Sequence, residues 1–326
     1  MRRCIGADSF KQKLGDADVV GQQVVLLALA MWQAVFAYFH KEKMMTYATL
    51  MVHLELGRPN TRLLQVTGDL AQRFKASVVG IAARQPLQLV YGDGYVSGDF
   101  YQEDEVNMAK ELEVAEAEFR AALHHCAPTI EWRSARTYTN LADYLVAQAR
   151  GADLIVTSVV HGDLFDSSRS VNTGDLIMQA GRPVLTVPGA VSAAVTSTQA
   201  LALNHVLVAW KDTREARRAT ADALPLLRHA SAVSVVEIAD EADMKLAHDR
   251  VADVVHWLKR HHINAQGSAQ ASAGNDASAL HTIGEERGAD VIVAGAYGHS
   301  RLREWVLGGV TRDLLLSANR CSFVSH

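Results

Sequence analysis

Apolar positions follow two rhythms along most of this chain. Short, near-continuous apolar runs predict strands buried on both faces. Segments with apolar residues every three or four positions predict amphipathic helices. "TLMVHLEL" (49–56) is the first strand-like run, and the helical pattern of 61–74 follows it, with Pro59 placed where a helix can start. "SVVGIAA" (77–83) is a second strand, and Leu112, Ala115, Phe119 and Leu123 line one face of a long helix. "TIEWRSA" (129–135), a helix over 141–149, and the runs "DLIVTSV" (153–159) and "PVLTV" (183–187) complete the series. It then restarts with "HVLVAW" (205–210), a helix over 214–229 and "SAVSVVEI" (231–238). A helix carrying Met244, Ala247, Val251 and Leu258 on one face comes next, followed by "NAQGSAQAS" (264–272), a helix over 276–286, "DVIVAG" (290–295) and "CSFVS" (321–325).

The two series are copies of one pattern. "RGADLIV" at 150–156 recurs as "RGADVIV" at 287–293, and "DLIMQAGRPVLTV" at 175–187 matches "DLLLSANRCSFVS" at 313–325. "LMVHLEL" (50–56) matches "VLVAWKD" (206–212) at a longer offset, so the first copy holds extra residues near its front. The Gly-, Asp- and Tyr-rich stretch "RQPLQLVYGDGYVSGDFYQED" (84–104) is their natural place and reads as a loop. A period this long is a domain duplication, not a solenoid. Strand–helix alternation with apolar strands predicts an α/β fold: two tandem, doubly wound, Rossmann-like domains, each a parallel sheet covered on both faces, with right-handed crossovers. The expected division is an extension over 1–44, a first domain over 45–190, a linker over 191–204 and a second domain over 205–326.

Residues 1–44 break the pattern. The stretch 19–39, "VVGQQVVLLALAMWQAVFAYF", has no charge and approaches the length of a membrane span, but carries Gln22, Gln23 and Gln33. No small-residue cleavage site follows, which disfavours a secretory signal. Two readings stay open: an anchor, with Arg2, Arg3, Lys11 and Lys13 before the run, or an extension ahead of a true start at Met44 or Met45. The second is favoured, because "MMTYATLMVHLEL" enters a strand at once.

Composition narrows the function classes. The chain has 326 residues, a formal net charge of −4 and three cysteines, Cys4, Cys126 and Cys321, with no CxxC pair. The mild charge gives no call for nucleic acid, and the scattered cysteines fit a reducing, cytoplasmic setting better than a disulfide framework or thiolate metal site.

The strongest candidate chemistry is "AGAYGHSRLREWVLGGVTRDLLL" (294–316), after the fourth strand of the second copy. Ligands of open α/β sheets sit beyond the C-terminal strand ends. Gly295 and Gly298 permit close backbone approach, Gly308 and Gly309 open the next helix, and His299, Ser300, Arg301 and Thr311 add donors.

On these residues the chain, over about 46–326, resembles a tandem universal stress protein. The family's nucleotide signature, G-x2-G-x9-G followed by Ser or Thr, reads here Gly295, Gly298, Gly308 and then Gly309 where the hydroxyl belongs. "VAWKDTREARRATADALPLL" (208–227) is similar to the family's first strand and helix. The resemblance implies five-stranded domains paired as a pseudo-dimer, here within one chain, with a homodimer as a further form. It also implies a stress-response module that binds ATP or another adenine nucleotide. The family's Asp at the end of the first strand is replaced by Lys211 in the second copy and Glu55 in the first. The first copy also lacks the loop: "SVVHGDLFDSSRSVNTGD" (158–175) has only Gly162 and Gly174. Each copy thus keeps a different part of one ancestral site. A nucleotide at Gly295, Gly298, His299, Ser300, Arg301, Gly308, Gly309, Thr311 and Lys211 stands against an inherited turn with nothing bound. A ligand-free interaction scaffold and a weak ATPase are the alternative functions, the ATPase disfavoured because no general base stands out.

The remaining candidates read as structural. His124, His125 and Cys126, and His261 and His262, are adjacent on helices and do not converge on a metal. His161 and His299 occupy matching positions. "ELEVAEAE" (111–118) reads as a solvated acidic face, and Ser167, Ser168 and Ser170 lack a GxSxG elbow. No catalytic residue and no metal ligand is expected.

Overall fold

The computed structural model of the chain describes residues 46–86, 98–159, 168–189, 201–296 and 320–326. Residues 47–326 group into one compact unit. Strand β1 (Thr49–His53) leads into helix α1 (Thr61–Phe74) and returns as β2 (Ser77–Arg84). Helix α2 (Gly98–Leu123), β3 (Ile130–Arg136), α3 (Leu141–Gln148), β4 (Leu154–Val159), α4 (Thr173–Gln179) and β5 (Val184–Pro188) complete the first half. The second half runs β6 (His205–Trp210), α5 (Arg214–Asp222), α6 (Leu224–Arg228), β7 (Ala232–Ala239), α7 (Met244–Arg260), β8 (Ala265–Ala271), α8 (Asp276–Glu286), β9 (Val291–Gly295) and β10 (Cys321–Ser325).

Local chemistry sets the element ends. Helix α1 stops at Lys75, whose left-handed φ of 54° turns its N–H back onto the carbonyls of Ala71 and Gln72. Asn140, Asn172, Thr213 and Asn275 each cap a helix by accepting a first-turn N–H. Two expectations are corrected. The loop expected over 84–104 already contains the start of α2 at Gly98. The single helix expected over 214–229 is two, because Pro225 in the first turn of α6 cannot donate the N–H that would continue α5.

The strands form one ten-stranded sheet ordered β3-β2-β1-β4-β5-β10-β9-β6-β7-β8. Each half is parallel and doubly wound, and the registers repeat: Leu50 faces Leu154 in the first half as Val206 faces Val291 in the second. The recurring "RGAD" has a structural reason. Asp153 accepts from the backbone N–H groups of Ala48 and Thr49 (2.8 and 3.0 Å), and Asp290 accepts from those of Asn204 and His205 (2.5 and 3.2 Å). In each copy this carboxylate fastens the entry of the first strand to the start of the fourth. The halves meet through β5 and β10, which pair antiparallel with Phe323 opposite Leu185. Every residue of both strands is buried.

Apolar side chains on one sheet face pack under α1, α2, α5, α6 and α7 in a continuous cluster spanning both halves. Separate clusters on the other face lie under α3 and α4 and under α8. Among the described residues no helix is long and apolar enough to cross a membrane. The stretch 19–39 lies outside them.

Candidate functional site

The C-terminal strand ends of each half form the two edges where a doubly wound sheet takes a ligand. In the first half this edge is filled by the chain's own polar side chains. His53, the last residue of β1, has no solvent exposure, and its Nδ1 lies 3.1 Å from the Thr157 hydroxyl of β4. That hydroxyl donates to the Ser158 carbonyl (3.4 Å), which leaves its oxygen to accept from the imidazole. Burial lowers the His53 pKa to about 4, so the ring is neutral.

Two residues on, Glu55 is 5 % exposed. Burial raises its pKa, against the pull of Arg58 and a hydrogen bond from Ser158. The turn that carries it is stitched by Asn60, whose Oδ1 accepts from the Glu55 N–H (3.0 Å) while its Nδ2 donates to the carbonyls of Glu55 (3.0 Å) and Arg58 (3.1 Å). Gly57, at φ +74°, makes this turn possible.

Arg84 ends β2 and is 3 % exposed. Its Nη2 meets Asp104 at 2.5 Å and its Nη1 meets Glu111 at 3.2 Å, both on α2. The second oxygen of Glu111 meets Arg169 at 3.0 Å. Asn60 also donates to Glu118 at 3.3 Å. Asp104, Glu111 and Glu118 are seven residues apart, which places them on one helix stripe. The expectation of a solvated acidic face over 111–118 therefore holds for the exposed Glu113 but fails for Glu111 and Glu118, which turn inward onto basic and amide partners. The seven-residue spacing was the signal that could have found them.

At the equivalent edge of the second half, the described strand ends carry smaller side chains. His53 and Thr157 are replaced by the cross-strand pair Ala209 and Ala294. Ser158 is replaced by Gly295, and Glu55 by Lys211, which is exposed just beyond β6. Asp212 pairs with Arg217, Arg214 points outward with a 76 % exposed side chain, and the Thr213 hydroxyl caps α5 at Ala216 (3.3 Å). Glu215, 7 % exposed, sits in the first turn of α5. Burial opposes its ionisation, but its own backbone N–H, Arg214 and His326 together hold its pKa below the usual carboxylate value. Behind this edge Arg250 of α7 grips the buried Glu237 of β7 through two nitrogens.

Gly295 has a packing duty that its place in the loop did not reveal. A Cβ there would lie 2.5 Å from the Glu215 carbonyl carbon and 2.9 Å from the Ala216 Cα. Only glycine lets the end of β9 sit against the backbone of α5.

Of the residues expected at the nucleotide site, Lys211 and Gly295 are described and fall on the same sheet edge, next to the start of α5. Gly298, His299, Ser300, Arg301, Gly308, Gly309 and Thr311 lie outside the described residues, as does His161. His124 and His125 are exposed, with ring centroids 3.5 Å apart and planes tilted by 43°. Among the described residues no group of three or more His, Cys, Asp or Glu side chains is placed to hold a metal ion.

No protein-family model and no curated protein matches the chain. Solved structures do. A universal stress protein from Archaeoglobus fulgidus DSM 4304 superimposes with a TM-score of 0.67 at 14% identity, over 85% of this chain and 95% of its own. A protein of unknown function from Pseudomonas aeruginosa PAO1 superimposes with a TM-score of 0.53 at 12% identity, over 86% of this chain and 92% of its own. The fold is thus one that a universal stress protein adopts over nearly its whole length, as an α/β arrangement of two halves.

Proposed function

We propose that the chain is a tandem member of the universal stress protein family: a cytoplasmic stress-response module that holds an adenine nucleotide on its second half and uses its first half as a closed structural partner. The observation that carries this reading is the contrast between the two sheet edges. The first is filled by His53, Glu55, Asn60 and Arg84, all buried and bonded within the chain. The second carries Ala209, Ala294 and Gly295 at the equivalent strand ends, with Lys211 and Arg214 exposed beside them. Ala209 and Ala294 fill less of the edge than His53 and Thr157 do, while Gly295 is closed against α5, and exposed cations suit a phosphate.

In this reading the phosphates rest on the backbone of 295–301 and 308–311, and Lys211 stands where related proteins carry an acid. A lysine cannot accept from a ribose hydroxyl, so phosphate recognition outweighs sugar and base recognition. Binding is weak and tolerant of the base. The second reading, an interaction scaffold without ligand, is favoured by two departures, Lys211 and Gly309. Calorimetric titration of the full chain with AMP, ADP and ATP separates them. Binding that strengthens with phosphate number, and that falls at least about tenfold in Gly298→Val because the branched side chain would occupy the place assigned to a phosphate, supports the nucleotide reading. Unchanged affinity in Gly298→Val removes the loop assignment, and no binding of any of the three leaves the scaffold.

A further inference from the structure

The first half carries cationic groups at its C-terminal sheet edge, and those groups are already held by carboxylates of the same chain. Arg84 is 3 % exposed, its two terminal nitrogens are bonded to Asp104 and Glu111, and its Nε is buried without a hydrogen-bond partner. Glu111 bridges Arg84 and Arg169, one oxygen to each, at 3.2 and 3.0 Å. Both arginines belong to the C-terminal edge: Arg84 closes β2, and Arg169 follows β4. The carboxylates come from α2, whose first turns, Asp104 included, lie in the stretch 84–104 where the first copy holds its extra residues.

Two guanidinium groups converging on one bridging carboxylate are arranged as they would be around a small oxyanion. We infer that Arg84 and Arg169 form an oxyanion site that α2 occupies with its own Glu111 and Asp104, so the helix serves as a tethered anionic occupant that keeps the first edge shut. The occupant is covalently attached and present at high effective concentration, so a free anion cannot compete while both carboxylates are in place. Removing one carboxylate charge leaves a buried arginine undercompensated, which is costly, and an added oxyanion of matching geometry then relieves that cost. The argument stands on the first half alone and does not depend on nucleotide binding by the second.

The test is thermal melting of the full chain and of Glu111→Gln, each with and without pyrophosphate, with sodium chloride matching ionic strength. Glu111→Gln is expected to melt below the parent. Pyrophosphate at about ten times its dissociation constant is expected to raise the variant's midpoint by about 3 °C more than the parent's. Asp104→Asn should behave the same way and stands in if Glu111→Gln does not fold. Any response from the second half is common to parent and variant and cancels in the difference. Adding Arg84→Gln to the responding variant should erase that difference. Two results overturn the inference: both carboxylate variants melt lower but respond to pyrophosphate no more than the parent, or the extra response survives Arg84→Gln.

Discussion

At the scale of single residues, the first half stores its pH sensitivity in His53. The ring is fully buried, bonded to Thr157, and titrates at about 4. An unfolded histidine titrates near 6.5. Between those values the unfolded chain takes a proton that the folded chain refuses. The contribution is therefore complete above about pH 6.5 and drains away as pH falls toward 4. A shift of this size corresponds to about 3 kcal/mol across the interval. His53→Gln keeps a donor for Thr157 but removes the titration. Urea unfolding at pH 7.5, 6 and 5 should show the parent losing about 2 kcal/mol more than the variant by pH 5, the remainder being lost only as pH falls to 4 and below. Superimposable pH profiles would mean that His53 does not stay neutral in the folded chain. Glu55 has the opposite sign: burial favours its neutral form, so its contribution falls as pH rises through the carboxylate range.

At the scale of elements, helix and strand placement was legible and the site was only partly so. The apolar rhythm located the cores of β1, β2, β4, β5, β6, β7, β9 and β10 and the span of α1 because those positions are buried, whereas the edge strands β3 and β8 are mostly exposed or half-buried. What escaped is chemistry that pairs residues distant in sequence. The inward role of Glu111 depends on Arg84, 27 residues earlier. The acidic stripe of α2 reads as solvated until the sheet edge supplies its partners. Gly295 escaped in another way. Its flexibility suggested a ligand, while its contact with α5 depends on an element 80 residues away in the chain. Gly295→Ala tests that contact directly. The added methyl meets backbone atoms of Glu215 and Ala216, which cannot rotate aside as a side-chain tip would. The expected loss is about 1–3 kcal/mol, read as a lower melting temperature with or without nucleotide. A variant that melts with the parent would show that β9 and α5 do not pack this closely.

At the scale of the molecule, duplication supplies both the repeat and its closure. A parallel half-sheet ends in an edge strand with unpaired backbone groups, which would be open to aggregation. Here β5 and β10 satisfy each other across the junction, and the Thr186 hydroxyl adds a bond to the Ser322 carbonyl at 3.2 Å. Side chains reinforce the join. Tyr47 before β1 donates to the Asp222 carbonyl at the end of α5 (2.7 Å), packs edge-on against Phe74 at 4.9 Å, and lies 6.5 Å from Phe323. Ser325 donates to the Asp222 carboxylate at 2.9 Å. Because one apolar cluster runs through both halves and includes Phe323, neither half can lose its core without exposing part of the other's. Residues 47–326 should therefore unfold in a single transition, with calorimetric and van't Hoff enthalpies in agreement. Phe323→Ala removes a fully buried ring from the junction and should cost about 3–5 kcal/mol. If the halves are coupled through this junction, the variant's transition moves down as one. If it splits, with one step left at the parent's temperature, the halves are separate folding units that share a sheet without sharing stability.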